Sequence, residues 1–146
     1  MYPANADQRV LGYLGRALSL ELSAVQLYST QAMLAASWGL ADVAEKFRAE
    51  SVEEMGHAER IISRMLALGV APNASQLRPV RLGQTLMELL QHDHAFEKEL
   101  VGLYGDAVSY CSRSGDQDSR LFFEGLLGEE QVHAKELLQW MEKLQQ

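Results

Sequence analysis

The stretch ESVEEMGHAERIISRML, residues 50–66, decides how this chain is read, because it places Glu54 and His57 as E-x-x-H inside a run with helical periodicity. A second run, LGEEQVHAKEL at 127–137, carries Glu130 and His133 in the same E-x-x-H form. Each motif is preceded, thirty-three residues upstream, by another glutamate, Glu21 or Glu97, so the set repeats at an offset of seventy-six. In a helical hairpin with a short connection, residues equidistant from the turn face one another. The spacing therefore predicts turns at Ser37/Trp38, beside Gly39, and at Arg113/Ser114, beside Gly115, where glycine favours a break.

Working outward, four segments carry a helical pattern, at roughly residues 6–36, 41–68, 83–111 and 117–144, and no strand pattern competes. The first lines up Leu14, Leu18, Glu21, Ala24, Val25, Tyr28 and Ala32 on one face. The second does so with Phe47, Glu54, His57, Ala58, Ile61 and Leu68, and the third with Leu86, Leu90, Asp93, Glu97, Leu100, Tyr104 and Cys111. In the fourth the stripe is Phe123, Leu127, Glu130, His133, Ala134, Leu137 and Met141. Every candidate ligand thus lies inside an apolar stripe. Asp42, and Asp116 or Asp118, are expected N-caps, and Gly69 an expected stop.

Residues 69–82, with Pro72, Asn73 and Pro79, are too many for a simple hairpin turn. Extended at ~3.3 Å per residue they reach about 45 Å, enough to run the length of a helix of such size. The segment is read as a crossover, which makes the second and third helices parallel. The expected architecture is all-α: a ferritin-like four-helix bundle of two hairpins joined by a long crossover.

A chain of 146 residues, 47% apolar with three prolines, supports one domain with a real core, taken as residues 1–146. It shows no leader pattern and no apolar run of about twenty residues, so no membrane association is expected. A lone cysteine, Cys111, fits a reducing, cytoplasmic setting. The net charge of −7 argues against nucleic acid and is compatible with attracting cations.

Four carboxylates facing a common core cost many kcal/mol to bury uncompensated, and two divalent cations offset their charge. One buried glutamate is ordinarily a paired or protonated core carboxylate, and one buried histidine a satisfied core residue. Six in a doubled pattern call for a dinuclear metal site. Carboxylates with two imidazoles and no thiolate suit iron or manganese.

The stretches LELSAVQLY (20–28), WGL (38–40), ESVEEMGHAERIISRML (50–66), APN (71–73), DHAFE (93–97) and EEQVH (129–133) resemble the bacterioferritins of the ferritin-like superfamily over nearly the whole chain. The resemblance implies two iron ions per chain. Glu21 and Glu97 are then terminal ligands, His57 and His133 the imidazole ligands, and Glu54 and Glu130 the bridging carboxylates. It also implies ferroxidase activity, Fe(II) being oxidised to Fe(III) by oxygen or peroxide for iron storage or detoxification.

Met55 points about 100° away from Glu54 on a helix, so it faces another helix or another subunit rather than the metal face. Methionine is also a common gap filler there. The resemblance makes Met55 an axial ligand of haem b, one from each chain across a twofold dimer, with Leu22, Gln26 and Met33 near the same interface. It further implies a homo-oligomer built from twofold dimers, with an electron-donor protein as partner.

Tyr28, two turns beyond Glu21, is either a hydrogen-bond or electron donor near the metals or a core tyrosine. Asp93, His94 and Glu50 sit one turn from ligands and are candidates for groups behind them. Glu53, Glu59, Glu99 and Glu129 are read as solvated, Trp38 and Trp140 as packing residues, and Cys111 as a small apolar one. Bacterioferritins continue into a short fifth helix, whereas only thirteen residues follow His133 here, and storage is put in more doubt than oxidation. The alternative is a small non-storing diiron oxidase or peroxidase of rubrerythrin-like chemistry. The absence of a cysteine-rich module and the presence of His94 weigh against it.

Overall fold

The computed structural model describes residues 7–73 and 76–146. It contains four helices, α1 (Gln8–Ser37), α2 (Ala41–Ala67), α3 (Leu86–Ser114) and α4 (Gln117–Leu144), and no strand among the described residues. Ala6, where the periodicity starts the first helix, lies outside the described residues. The chain divides into two compact units, residues 1–82 and 83–146.

In the first unit, α1 begins at Asp7, whose carboxylate accepts from the Arg9 and Val10 backbone N–H groups at 2.8 and 3.3 Å. This satisfies two of the donors that a helix start leaves open. The helix stops at the predicted turn. Gly39 takes φ 80°, its N–H donates to the Ala36 carbonyl, and the Leu40 N–H donates to that of Ala35, the paired closure that a left-handed residue makes possible.

Asp42 is not the N-cap of α2. Leu40 occupies that position, with no side-chain cap, because one residue serves both helices. Its N–H closes α1, while its carbonyl accepts from Ala44 to open α2. Asp42 instead lies in the first turn of α2, where its charge favours the positive end of the helix dipole. α2 ends at the predicted stop, with Gly69 at φ 79° and the Val70 N–H bonded to the Met65 carbonyl.

The antiparallel pair closes over a continuous core of Leu14, Leu18, Ala24 and Tyr28 from α1 against Phe47, Ala58 and Ile61 from α2. Val25 and Leu68, expected on the same faces, are half-buried. Tyr28 and Phe47 set the register across the pair, with ring centroids 6.4 Å apart. Ser51 adds a polar clamp, contacting Ser29 Oγ at 2.7 Å and donating to the Val25 carbonyl at 3.2 Å.

The segment after α2 runs back along α1. The Arg78 N–H donates to Ser23 Oγ at 2.9 Å, and the Ser23 hydroxyl donates to the Ser19 carbonyl. α2 ends level with the start of α1, so by Arg78 the strap has returned about 22 Å along that helix, at 1.5 Å per residue. The length of the segment is thus used to travel, as a crossover requires.

In the second unit α3 starts at Leu86 rather than at residue 83. Thr85 Oγ1 accepts from the Glu88 N–H, and the Glu88 carboxylate reaches back to the Gln84 N–H at 2.9 Å, a close variant of the T-x-x-E capping box. α3 ends at Ser114, with Gly115 at φ 78° and the Asp116 N–H closing on the Cys111 carbonyl. Asp116 then caps α4 by accepting from the Ser119 N–H at 3.1 Å, which decides between the two expected caps. Leu90, Leu100, Tyr104, Phe123, Leu126 and Leu137 form the core. Leu126, not Leu127, takes the fully buried place on α4, and Leu86, Ala134 and Met141 are half-buried.

Candidate metal centre

Residues three apart on a helix lie within about 60° of one another and one turn apart, so E-x-x-H presents a carboxylate and an imidazole side by side. In the first hairpin Glu54 Oε1 lies 3.4 Å from His57 Nδ1, and Glu21 Oε2 reaches the same nitrogen from α1 at 3.1 Å. In the second, Glu130 Oε2 is 3.5 Å from His133 Nδ1, and Glu97 Oε1 approaches it from α3 at 4.0 Å. Each hairpin thus gathers two carboxylates and one imidazole, with potential ligand atoms within 4.8 Å of one another.

All six groups are withdrawn from solvent. Glu21, Glu54, Glu97 and Glu130 are 0% exposed, His57 2% and His133 4%. In each hairpin two carboxylates against one imidazole leave the donor set rich in negative charge, the composition that hard, divalent first-row cations demand. Without cations, ionised carboxylates in such surroundings cost several kcal/mol each. The donor set therefore fits iron.

The other sequence candidates are distributed as follows. Tyr28 is buried on the α1 face that carries Glu21. Asp93 is fully buried one turn before Glu97, whereas His94 and Glu50 are half-buried. Glu53, Glu59 and Glu99 are exposed as expected, Glu129 is half-buried, and both tryptophans are half-buried. Cys111 is buried. Met55 is 39% exposed on α2, turned away from the Glu54 face as the helical angle requires. Among the buried side chains with polar atoms that the sequence reading gave no functional role are Ser51, Gln31 and Tyr104. Tyr104 had a signal, since it stands seventy-six residues after Tyr28.

Two antiparallel helical hairpins, each with a buried glutamate set against an E-x-x-H, are the plan of a ferritin-like protein, and residues 11–146 match the ferritin-like domain family. The bacterioferritin of Rhodobacter capsulatus is 42% identical over 127 residues, covering 87% of this chain and 79% of that protein. That of Mycobacterium avium is 36% identical over 141 residues, covering 94% and 89%. A solved structure of the R. capsulatus bacterioferritin superposes with a TM-score of 0.90 at 40% identity, over 94% of this chain and 86% of that one. That structure has a metal-free dinuclear site and its haem iron in a crystallographic special position. The chain belongs to the ferritin-like family, in its bacterioferritin branch. Its fold class is accordingly the all-α, ferritin-like four-helix bundle expected from the sequence.

Proposed function

We propose that this chain is a ferroxidase, with the whole of it forming one domain that binds two ferrous ions through Glu21, Glu54, His57, Glu97, Glu130 and His133. The observation that carries the reading is the doubled Glu/Glu/His set, every carboxylate of it wholly buried. Two Fe(II) ions would neutralise the four carboxylates, with Glu54 and Glu130 in the bridging role and Glu21 and Glu97 in the terminal role that the resemblance implies. The imidazoles complete the ligation without adding charge. The oxidised product serves iron storage or detoxification, as the bacterioferritin relatives support.

The electron count depends on the oxidant. Two Fe(II), one hydrogen peroxide and two protons give two Fe(III) and two waters, so with peroxide the irons suffice. With dioxygen, two Fe(II) supply half of the four electrons that reduction to water requires. Tyr28, buried two turns beyond Glu21, is placed to supply a third electron or to hold a proton near the site.

Met55 fits a second role. Its thioether lies on the outer side of α2 with the exposed Val52 one turn before it, and a Cβ added at neighbouring Gly56 meets nothing within 4 Å. Met55 from each of two chains would hold haem b on the twofold axis of a homodimer, the unit of a larger homo-oligomer. An iron on a crystallographic special position, as in the R. capsulatus protein, lies on a symmetry element. Haem there supplies one-electron transfer between the site and an electron-donor protein. We place the protein in the cytoplasm, where a chain with one buried cysteine meets reducing conditions. No helix among the described residues is long and apolar enough to cross a membrane.

Anaerobic Fe(II) titration followed by oxygenation tests the reading. Binding saturates at two ions per chain, and Glu54→Gln or Glu130→Gln removes most rapid oxidation. Saturation at one ion or none, with all six residues intact, overturns it. Native mass measurement and iron retention after gel filtration then separate a storing assembly from a small diiron oxidase.

A further inference from the structure

The internal repeat extends beyond the ligands to an aromatic pair in each hairpin. Tyr28 follows Glu21 by seven residues, and Tyr104 follows Glu97 by seven; Phe47 precedes Glu54 by seven, and Phe123 precedes Glu130 by seven. The pairs have nearly the same geometry, with Tyr28 and Phe47 centroids 6.4 Å apart at 27° and Tyr104 and Phe123 6.3 Å apart at 34°. Both phenols are buried, Tyr28 at 1% and Tyr104 at 0%. Each stands two turns, about 10 Å of helix rise, from its own hairpin's terminal glutamate.

We propose that Tyr104 is a second redox-active tyrosine, delivering the fourth electron of dioxygen reduction from the second hairpin as Tyr28 delivers the third from the first. The inference rests on the ferroxidase reading. Dioxygen, two Fe(II), two tyrosines and two protons yield two Fe(III), two tyrosyl radicals and two waters. Each phenolic O–H bond breaks, with its electron passing to the reduced oxygen and its proton consumed in forming water. No further reductant is needed, and no free peroxide leaves the site.

Burial favours this chemistry. A phenol that loses an electron together with its proton becomes a neutral radical, whereas a phenolate or a radical cation in the same surroundings carries the penalty of an unpaired buried charge. Phe123 against the ring keeps it in place and shields it from solvent.

The test is rapid freeze-quench electron paramagnetic resonance on the whole protein, loaded anaerobically with two Fe(II) per chain and mixed with dioxygen, alongside assay of released peroxide. Wild type gives a tyrosyl signal and no free peroxide. Tyr104→Phe and Tyr28→Phe each halve the radical yield and release peroxide; the double variant loses the signal and releases one peroxide per dioxygen consumed. Phe123→Leu disturbs the packing of the same pair but keeps the phenol, so its radical yield is retained; if the Tyr104→Phe loss came from disturbed packing alone, Phe123→Leu would lower the yield equally, and that result overturns the inference. An undiminished radical yield in Tyr104→Phe, or complete loss of signal in Tyr28→Phe alone, overturns the inference and leaves the ferroxidase reading standing. Failure of the wild type to oxidise Fe(II) overturns both.

Discussion

Replacing Glu54 with methionine should make the metal-free protein more stable and remove its response to metal. Glu54 is wholly buried and lies 3.4 Å from His57, while Glu21 approaches the same nitrogen more closely, at 3.1 Å. The first hairpin therefore holds two carboxylates against one imidazole. Removing the farther carboxylate leaves the Glu21–His57 contact intact. Exchange of buried ionic groups for apolar ones of similar volume is commonly neutral or stabilising, by ~1–4 kcal/mol. At roughly 2–4 °C per kcal/mol for a chain near this length, the variant's metal-free Tm rises by several degrees.

The wild type should instead gain from metal. At a hundredfold excess over Kd, one bound ion stabilises by ~2.7 kcal/mol, or about 5–11 °C by the same conversion. Scanning calorimetry with and without Mn(II), which air does not oxidise readily, measures both effects at matched protein concentration. A metal-free Glu54→Met protein that melts below metal-free wild type, or one that keeps the full Mn(II) shift, would refute the argument. Glu21→Met provides the contrast. It removes the nearer partner of His57, so its metal-free gain should be smaller.

Gly115→Ala tests the helix stop: φ is 78° and an added Cβ meets nothing within 4 Å, so only backbone strain of ~1–2 kcal/mol is expected in chemical denaturation, with no change in metal stoichiometry. Gln31, 1% exposed with neither amide atom bonded among the described residues, should give a protein more stable by roughly 1–3 kcal/mol when replaced by leucine; a loss of stability would show that the amide has a partner in solution. Met55→Leu should abolish haem uptake, read from the visible spectrum after expression with haem supplied, and leave Fe(II) oxidation intact because Met55 lies off the Glu54 face. Ser23→Ala removes the acceptor for the Arg78 N–H and should cost ~1 kcal/mol, with faster amide exchange at Arg78 than in wild type.

The ligand repeat and both turns were legible because they follow from one periodicity. A residue's distance from a short turn determines what it faces, so Glu21 opposite Glu54 and Glu97 opposite Glu130 implied breaks where Gly39 and Gly115 adopt positive φ. Helix ends were less legible, since they depend on competition for a few backbone donors. Leu40 closes one helix and opens the next, leaving no position for Asp42 as a cap, and the Thr85–Glu88 box moves the start of α3 from residue 83 to Leu86. The burial of Gln31 could not be read at all, because amphipathic patterning assigns a glutamine to the solvent face whenever it has the choice. Tyr104 is a different case. Its stripe position and its offset from Tyr28 were both visible, but a tyrosine among leucines fits a core equally well. It acquires chemical meaning only through the Phe123 contact, which repeats the Tyr28–Phe47 pair at the same spacing from the ligands. A second phenol doubles the electrons stored in side chains, and this matters only to a site whose oxidant takes four electrons when its two irons supply two. On the proposed redox role of both tyrosines, dioxygen rather than peroxide is the oxidant that the repeat suits.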